Sequence, residues 1–295
     1  HKVRTPTHMV TGENDCRVPT AQSYLLKRAL HILGIPSKLI VFPGEGHLIK
    51  NNPWHEKIKT FTVLTAFNCP LSDLGVLHIV NALQQNKTLN TLVLGYNQFG
   101  PQGAHYLAND LKRNTVSSSH NLYIFRSLSL QGVQHLANAL ETNNTLITLA
   151  LNDNEIGDLG AQYLANILEQ NTTLSSLDLS SNEIGDDGIA HLANALKQNK
   201  TLTTLFLGCI MIGSQGVHDL ADALKQNEGL NALNIYRNHI NNQGAQYIAN
   251  ALQQNQTLIS LDMRYNDIDV QGAEYFVNAL QVNKVTASLV VSFHL

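Results

Sequence analysis

The residues best suited to chemistry stand near the start of the chain, on two short loops. Gly12-Glu13-Asn14-Asp15-Cys16-Arg17-Val18-Pro19 is polar and carries Gly and Pro, so it reads as a loop after the apolar stretch Met9-Val10-Thr11. Pro43-Gly44-Glu45-Gly46-His47 is a second loop, after the β-type run Lys38-Leu39-Ile40-Val41-Phe42. Each loop carries one ionisable residue, Asp15 and His47, of the types used in general acid–base chemistry. The 13 His residues of the chain are scattered without metal-ligand spacing, so neither a metal nor a cofactor is expected.

The elements around these loops follow a simple order. Ala21 to Leu33 has helical apolar spacing ended by Gly34, and Trp54 to Lys59 opens another helix, which makes residues 1–60 strand, helix, strand, helix. After about residue 60 the chain changes character. Gly recurs at 75, 103, 132, 160, 188, 216, 244 and 272, and Asn at 86, 114, 143, 171, 199, 227, 255 and 283. Both series step by 28, with one step of 29. A fixed period of this length marks a solenoid of supersecondary units, whose usual work is binding.

One unit reads Leu174-Ser175-Ser176-Leu177-Asp178-Leu179-Ser180-Ser181-Asn182-Glu183-Ile184-Gly185. Its alternation suits a short strand with one buried face. Ile189, Leu192, Ala193 and Leu196 then fall at i, i+3, i+4 and i+7, one stripe of a helix. The Asn after that helix is expected to end it in a left-handed conformation. The pattern resembles the leucine-rich repeat, specifically the 28-residue ribonuclease-inhibitor-like class, over 61–295. The resemblance implies an α/β horseshoe solenoid of about eight and a half units, with parallel strands concave and helices convex. It also implies a ladder of hydrogen bonds through the turn residues Asn97, Asn154, Asn182, Asn238 and Asn266.

Three units depart from the pattern. The first has Cys69 at the turn-Asn position, and the unit starting at Leu202 has Ile210 there. The third carries one extra residue between Gly103 and Gly132. Counted back from its helix, it puts Arg126 at the Asn position, and a register through Leu122 and Ile124 only partly repairs it. A distorted strand and a protruding loop are expected near 115–128.

The first 60 residues resemble the C-terminal end of an α/β-hydrolase catalytic domain, closest to the prolyl oligopeptidase family of serine peptidases. The pieces that match are G-E-N-D-x-R-V-P at 12–19 and F-P-G-E-G-H at 42–47. The resemblance implies that Asp15 orients an imidazole and that His47 is the general base of a Ser-Asp-His triad. The nucleophile elbow G-x-S-x-G is missing, because none of the 19 Gly is followed two positions later by Ser. A base with no serine to deprotonate performs no acyl transfer.

Charge separates the same two segments. Residues 1–60 hold 9 Lys+Arg against 4 Asp+Glu, hence +5, and residues 61–295 hold 10 against 18, hence −8. The acidic array argues against a nucleic-acid partner. No apolar window is long enough to cross a membrane. Three Cys, at 16, 69 and 209, form no disulfide framework and fit a reducing, cytoplasmic setting. Five N-x-T triplets, from Asn86, Asn143, Asn171, Asn199 and Asn255, match a glycosylation acceptor formally but recur because the repeat does. His78, His105, His135, His191 and His218 recur on the helices.

The array holds no cluster of acid, base and nucleophile, so a protein-interaction scaffold is the favoured function. The runner-up is the C-terminal part of a serine peptidase that carries the array as an accessory domain. Side chains between the strand leucines point away from the core. That puts Phe206, Asn234, Tyr236, Asp262 and Arg264 on the concave face, with Arg237 and Tyr265 at its rim, as the expected site for a protein partner.

Overall fold

The computed structural model describes residues 7–12, 37–42, 62–66, 71–84, 86–113 and 121–291. Asp15, His47, Cys16 and Cys69 lie outside the described residues. The chain forms two compact units, His1–Leu146 and Ile147–Leu295. Unit 1 runs β1 (Thr7–Gly12), β2 (Ser37–Phe42), β3 (Val63–Ala66), α1 (Asp73–Leu83), β4 (Thr91–Val93), α2 (Pro101–Arg113), β5 (Asn121–Tyr123), α3 (Leu130–Leu140). Its strands are parallel in the order β5-β4-β3-β1-β2. β1 lies between β2 and the first repeat strand, with Met9 opposite both Leu39 and Thr65.

Unit 2 runs β6 (Thr148–Ala150), α4 (Gly157–Leu168), β7 (Ser176–Asp178), α5 (Asp186–Gln198), β8 (Thr204–Phe206), α6 (Ser214–Gln226), β9 (Ala232–Asn234), α7 (Asn242–Leu252), β10 (Ser260–Met263), α8 (Val270–Val282), β11 (Ser288–Val291). All its strands pair in parallel and in sequence order. The fold is therefore the α/β leucine-rich-repeat solenoid. Strand and helix leucines meet in the core between the two layers: Leu174, Leu177, Leu179, Leu192 and Leu196 are all buried. Each such burial stabilises the unit by about 1.5–3 kcal/mol.

Strands of three residues make few ladder bonds, and buried Asn side chains supply the rest. Of the fourteen buried polar residues described, twelve are Asn at two recurring positions. At the turn position, Asn182 Nδ2 donates to Leu151 O of the preceding repeat (2.8 Å) and to Leu179 O of its own (2.9 Å). Its Oδ1 accepts from Asn154 N–H (2.9 Å). Asn238 and Asn266 repeat this arrangement. Ile210 interrupts it: its N–H donates to Asn238 Oδ1 (2.9 Å), but its own side chain has nothing to donate.

The helix-ending Asn forms a second ladder. Asn227 Oδ1 accepts from Gly229 N–H (3.1 Å) and Leu230 N–H (2.7 Å). Its Nδ2 donates to Leu196 O (2.6 Å) and Asn199 O (3.0 Å) of the preceding repeat. The expected left-handed conformation is absent here: Asn199, Asn227 and Asn283 are extended, with φ near −72° (−73, −71, −71). An extended backbone aims the amide into the core, where both of its ends find partners. Left-handed residues flank the turn position instead: Tyr96, Asp153, Ser181, Cys209, Arg237 and Tyr265 just before it have φ of 53–57°, and Glu183 and His239 just after it have φ of 54° and 56°. The five Asn of the N-x-T triplets are 9% exposed or less, so a glycan could not be attached without unfolding the ladder.

The third repeat corrects the expected register. β5 is regular, pairing Leu92 with Leu122, and Ile124 is buried. Arg126 takes the left-handed position (φ 48°), and Ser127 takes the Asn position. Ser127 Oγ accepts from Asn97 N–H (3.0 Å) and donates to Phe125 O (3.0 Å). Burying Leu122 and Ile124 outweighs keeping the helix-based count, because a one-residue slip would turn both to solvent. Residues 115–120 of the expected protrusion lie outside the described residues.

The Gly series has a steric cause. A Cβ on Gly188 would stand 2.6 Å from both Asp158 Oδ1 and Ile184 Cγ2. Asp158, in the first turn of α4, accepts from Gly185 N–H (2.7 Å) and Gly188 N–H (3.0 Å), so one carboxylate caps the following helix. Asp73 does the same for Gly100 and Gly103 in unit 1. The recurring His are half-buried but fall at two positions, His78, His135 and His191 three residues after the Gly, His105 and His218 two. His105 and His135 pack edge to face at 4.8 Å. Burial, then the charges of His105 and Lys112, hold His135 below the ordinary imidazole range.

Asn227→Ala removes all four of those bonds and leaves buried backbone groups unpaired. It is expected to lower stability by about 3 kcal/mol in urea denaturation followed by circular dichroism. Asn194→Ala, on the exposed face of α5, should change stability by less than about 0.5 kcal/mol.

Candidate functional site

The predicted partner-binding residues fall on adjacent strands of unit 2 or just past their ends. Strand register puts Asp178 opposite Phe206, Phe206 opposite Asn234, and Asn234 opposite Asp262. These four make one row across β7 to β10. Asn234 Nδ2 donates to Asp262 Oδ2 (3.3 Å). Asp178, Asn234 and Asp262 each turn Oδ1 back to accept the backbone N–H two residues on, at Ser180 (2.9 Å), Tyr236 (3.1 Å) and Arg264 (3.1 Å). Those N–H groups sit where the three-residue strands end, which explains short polar side chains at this position.

A second row lies two residues further on, at Ser180, Gly208, Tyr236 and Arg264. Gly208 is needed there, because a Cβ on it would stand 2.0 Å from Tyr236 Cε1. The Tyr236 ring therefore lies across the neighbouring strand's glycine. A hydrogen bond with Cys209, then burial, then the charges of Cys209 and Asp178 push the Tyr236 phenol up to about 12, against a small opposing effect of Arg237. Burial, with the charge of Asp153, also pushes the Asp178 carboxyl up, against its bonds from Ser180.

Arg264 folds back on its own strand. Its Nε donates to Asp262 Oδ1 (3.0 Å) and its Nη2 to Asp262 Oδ2 (2.7 Å). Burial works to raise the Asp262 carboxyl, but these bonds and the Arg264 charge leave it below its ordinary value. Arg237 and Tyr265 occupy left-handed positions beside the rows, and Tyr265 is 64% exposed.

Five of the seven predicted residues, Phe206, Asn234, Tyr236, Asp262 and Arg264, thus share one face of unit 2, with Arg237 and Tyr265 beside it. The sequence reasoning missed Cys209 and Gly208 as parts of the same cluster. A glycine where neighbouring repeats carry side chains was the available signal. The face joins aromatic rings, the fixed amide of Asn234 and a pre-folded ion pair. Among the described residues no group of three or more His, Cys, Asp or Glu could hold a metal ion, and no helix is long and apolar enough to cross a membrane.

Comparison with known proteins agrees with this architecture. Residues 85–108, 142–165, 170–193 and 254–277 match the family described as Leucine Rich repeat. Residues 1–67 match the Prolyl oligopeptidase family. The chain is thus similar to leucine-rich-repeat proteins along its array and to the prolyl oligopeptidase family over residues 1–67. No curated protein matches it. Among solved structures, a protein from Bacteroides fragilis aligns at 12% identity and a TM-score of 0.53, covering 92% of this chain and 83% of that one. Leiomodin-1 actin-binding site 2 aligns at 23% identity and a TM-score of 0.41, over 60% of this chain and 86% of that one. TLR13 in its ssRNA13 complex aligns at 16% identity and a TM-score of 0.48, over 88% of this chain and 35% of that one.

Ultraviolet titration of the tyrosines tests the cluster. One phenol should ionise near pH 12, and Cys209→Ala should move it back toward the ordinary value of about 10. A phenol raised in the folded state stabilises fully below pH ~10, and that stability is lost as pH rises toward 12.

Proposed function

We propose that the chain is a protein-interaction scaffold, and that a protein partner docks on the concave strand face of unit 2 through Phe206, Asn234, Tyr236, Arg237, Asp262, Arg264 and Tyr265. The observation that carries this reading is the packing of Tyr236 over Gly208 beside the Asp262–Arg264 pair. Large side chains held in place before binding lose little freedom when a partner arrives, and Tyr and Arg are enriched at interface hot spots. The 28-residue period supports the ribonuclease-inhibitor-like class, and the absence of a disulfide framework supports a cytoplasmic setting. Nucleic acid and membrane are not the partners proposed, nor is any cofactor.

The match of residues 1–67 to the prolyl oligopeptidase family favours a second reading. In it the chain is the C-terminal part of a serine-type peptidase, Asp15 and His47 belong to a triad, and the serine lies upstream. For the 295-residue chain alone the scaffold reading expects no hydrolysis, since it has no G-x-S-x-G.

With a partner captured by pull-down, Tyr236→Ala combined with Arg264→Ala should weaken binding by at least ~2 kcal/mol. Unchanged affinity in a folded double variant moves the partner to another surface. Separately, the chain should not be labelled by a fluorophosphonate active-site probe. Labelling that vanishes in His47→Ala would establish the peptidase reading instead.

A further inference from the structure

Helices α1 and α2 of unit 1 face each other through stripes of helical spacing, Leu77/Val80/Asn81 on one and Tyr106/Asp110/Arg113 on the other. A cavity of about 170 Å³ opens between them, with these six residues in its lining. Two of the six break the repeat. Val80 stands five residues after the recurring Gly, where α2 to α7 carry Ala. Asp110 stands seven residues after it, where six of the other helices carry Ala and α4 carries Ile167, all of them buried. Asp110 is itself 2% exposed, and among the described residues no other charged side chain is buried. A carboxylate here costs stability that Ala would not, and such departures from a consistent fold collect at functional sites.

We propose that this cavity binds a small organic cation, an alkylammonium group. The chemistry of its lining selects one. Asp110 puts negative charge on the buried part of the wall, where a low dielectric strengthens its attraction for a cation. The half-buried Tyr106 ring offers a π face to the same cation, and Leu77 and Val80 give an alkyl stem apolar contact. Arg113, the one cation of the lining, is exposed, so its guanidinium stays in water while its stem covers the rim. A cavity of about 150 Å³ accepts a benzene ring, so one of this size takes an ammonium on a stem of about four carbons. The site belongs to the helix layer of unit 1 and does not depend on the strand face of unit 2.

A ligand-detected NMR titration of the whole chain with n-butylammonium tests this, and the expected Kd is about 1 mM or tighter. n-Butanol, of the same length but uncharged, should bind at least ~10-fold more weakly. Asp110→Ala installs the residue that the other helices carry, and it should abolish binding with an unchanged circular dichroism spectrum. Asn81→Trp, from an exposed position on α1, should fill the cavity and abolish binding with Asp110 in place. Nα-acetyl-lysine methylamide separates two sources of the group. Tighter binding than n-butylammonium means a lysine side chain of a peptide, weaker or equal binding means a free amine, and either supports the site. No binding at ~10 mM n-butylammonium, equal affinity for n-butanol, or binding that survives Asp110→Ala or Asn81→Trp would each overturn it. If Asp110→Ala does not fold, Asn81→Trp and n-butanol decide.

Discussion

The buried asparagine is the interaction on which the rest of each unit depends. Parallel strands of three residues cannot hold neighbouring repeats together through backbone bonds alone. An amide side chain donates and accepts at once, so one Asn joins its own turn to the previous repeat. Asn182 and Asn227 each reach back 31 residues, to Leu151 and Leu196, while ordering the residues around them. Leaving such a group unpaired in the core costs about 1–3 kcal/mol, so the ladder tolerates little variation. Ile210 shows the tolerated case: it keeps the backbone donor to Asn238 and replaces the amide with apolar contact.

The same constraint organises the outer layers. Helices must approach closely enough for the amides to reach, and Gly in the first turn permits it. Asp73, Asp158 and Asp186 then use the space to cap the next repeat. A carboxylate at a helix N-terminus meets unsatisfied N–H groups and the positive end of the helix dipole. Part of the acidity of the array is thus structural. On the strand face, Asp178, Asn234 and Asp262 are likewise committed to the N–H groups at the strand ends.

How far this could be read in advance depended on whether the relevant neighbour was local. The leucine stripes, the strand–helix alternation and the turn Asn positions follow from periodicity and are found where expected. The third repeat was misread because counting from its helix gives equal standing to two registers, and only the burial of Leu122 and Ile124 decides between them. The helix-ending Asn was misread for a related reason. Asn tolerates a left-handed backbone, but two of the four partners that hold its amide belong to the preceding repeat, 28 and 31 residues away.

The amino-acid sequence by itself determined the repeat, the two layers and the set of side chains that face outward from the strands, because these depend on residue type and on periods of two and 3.6. Tertiary structure alone decided which of those side chains act together. Tyr236 lies over Gly208 and against Cys209 only because parallel pairing sets residues 28 apart side by side. Whether Ser127 can replace Asn, and whether an N-x-T asparagine is reachable, are likewise set by what the neighbouring repeat buries. The physical reason is the same throughout: short strands make few contacts of their own, so the next repeat completes each one.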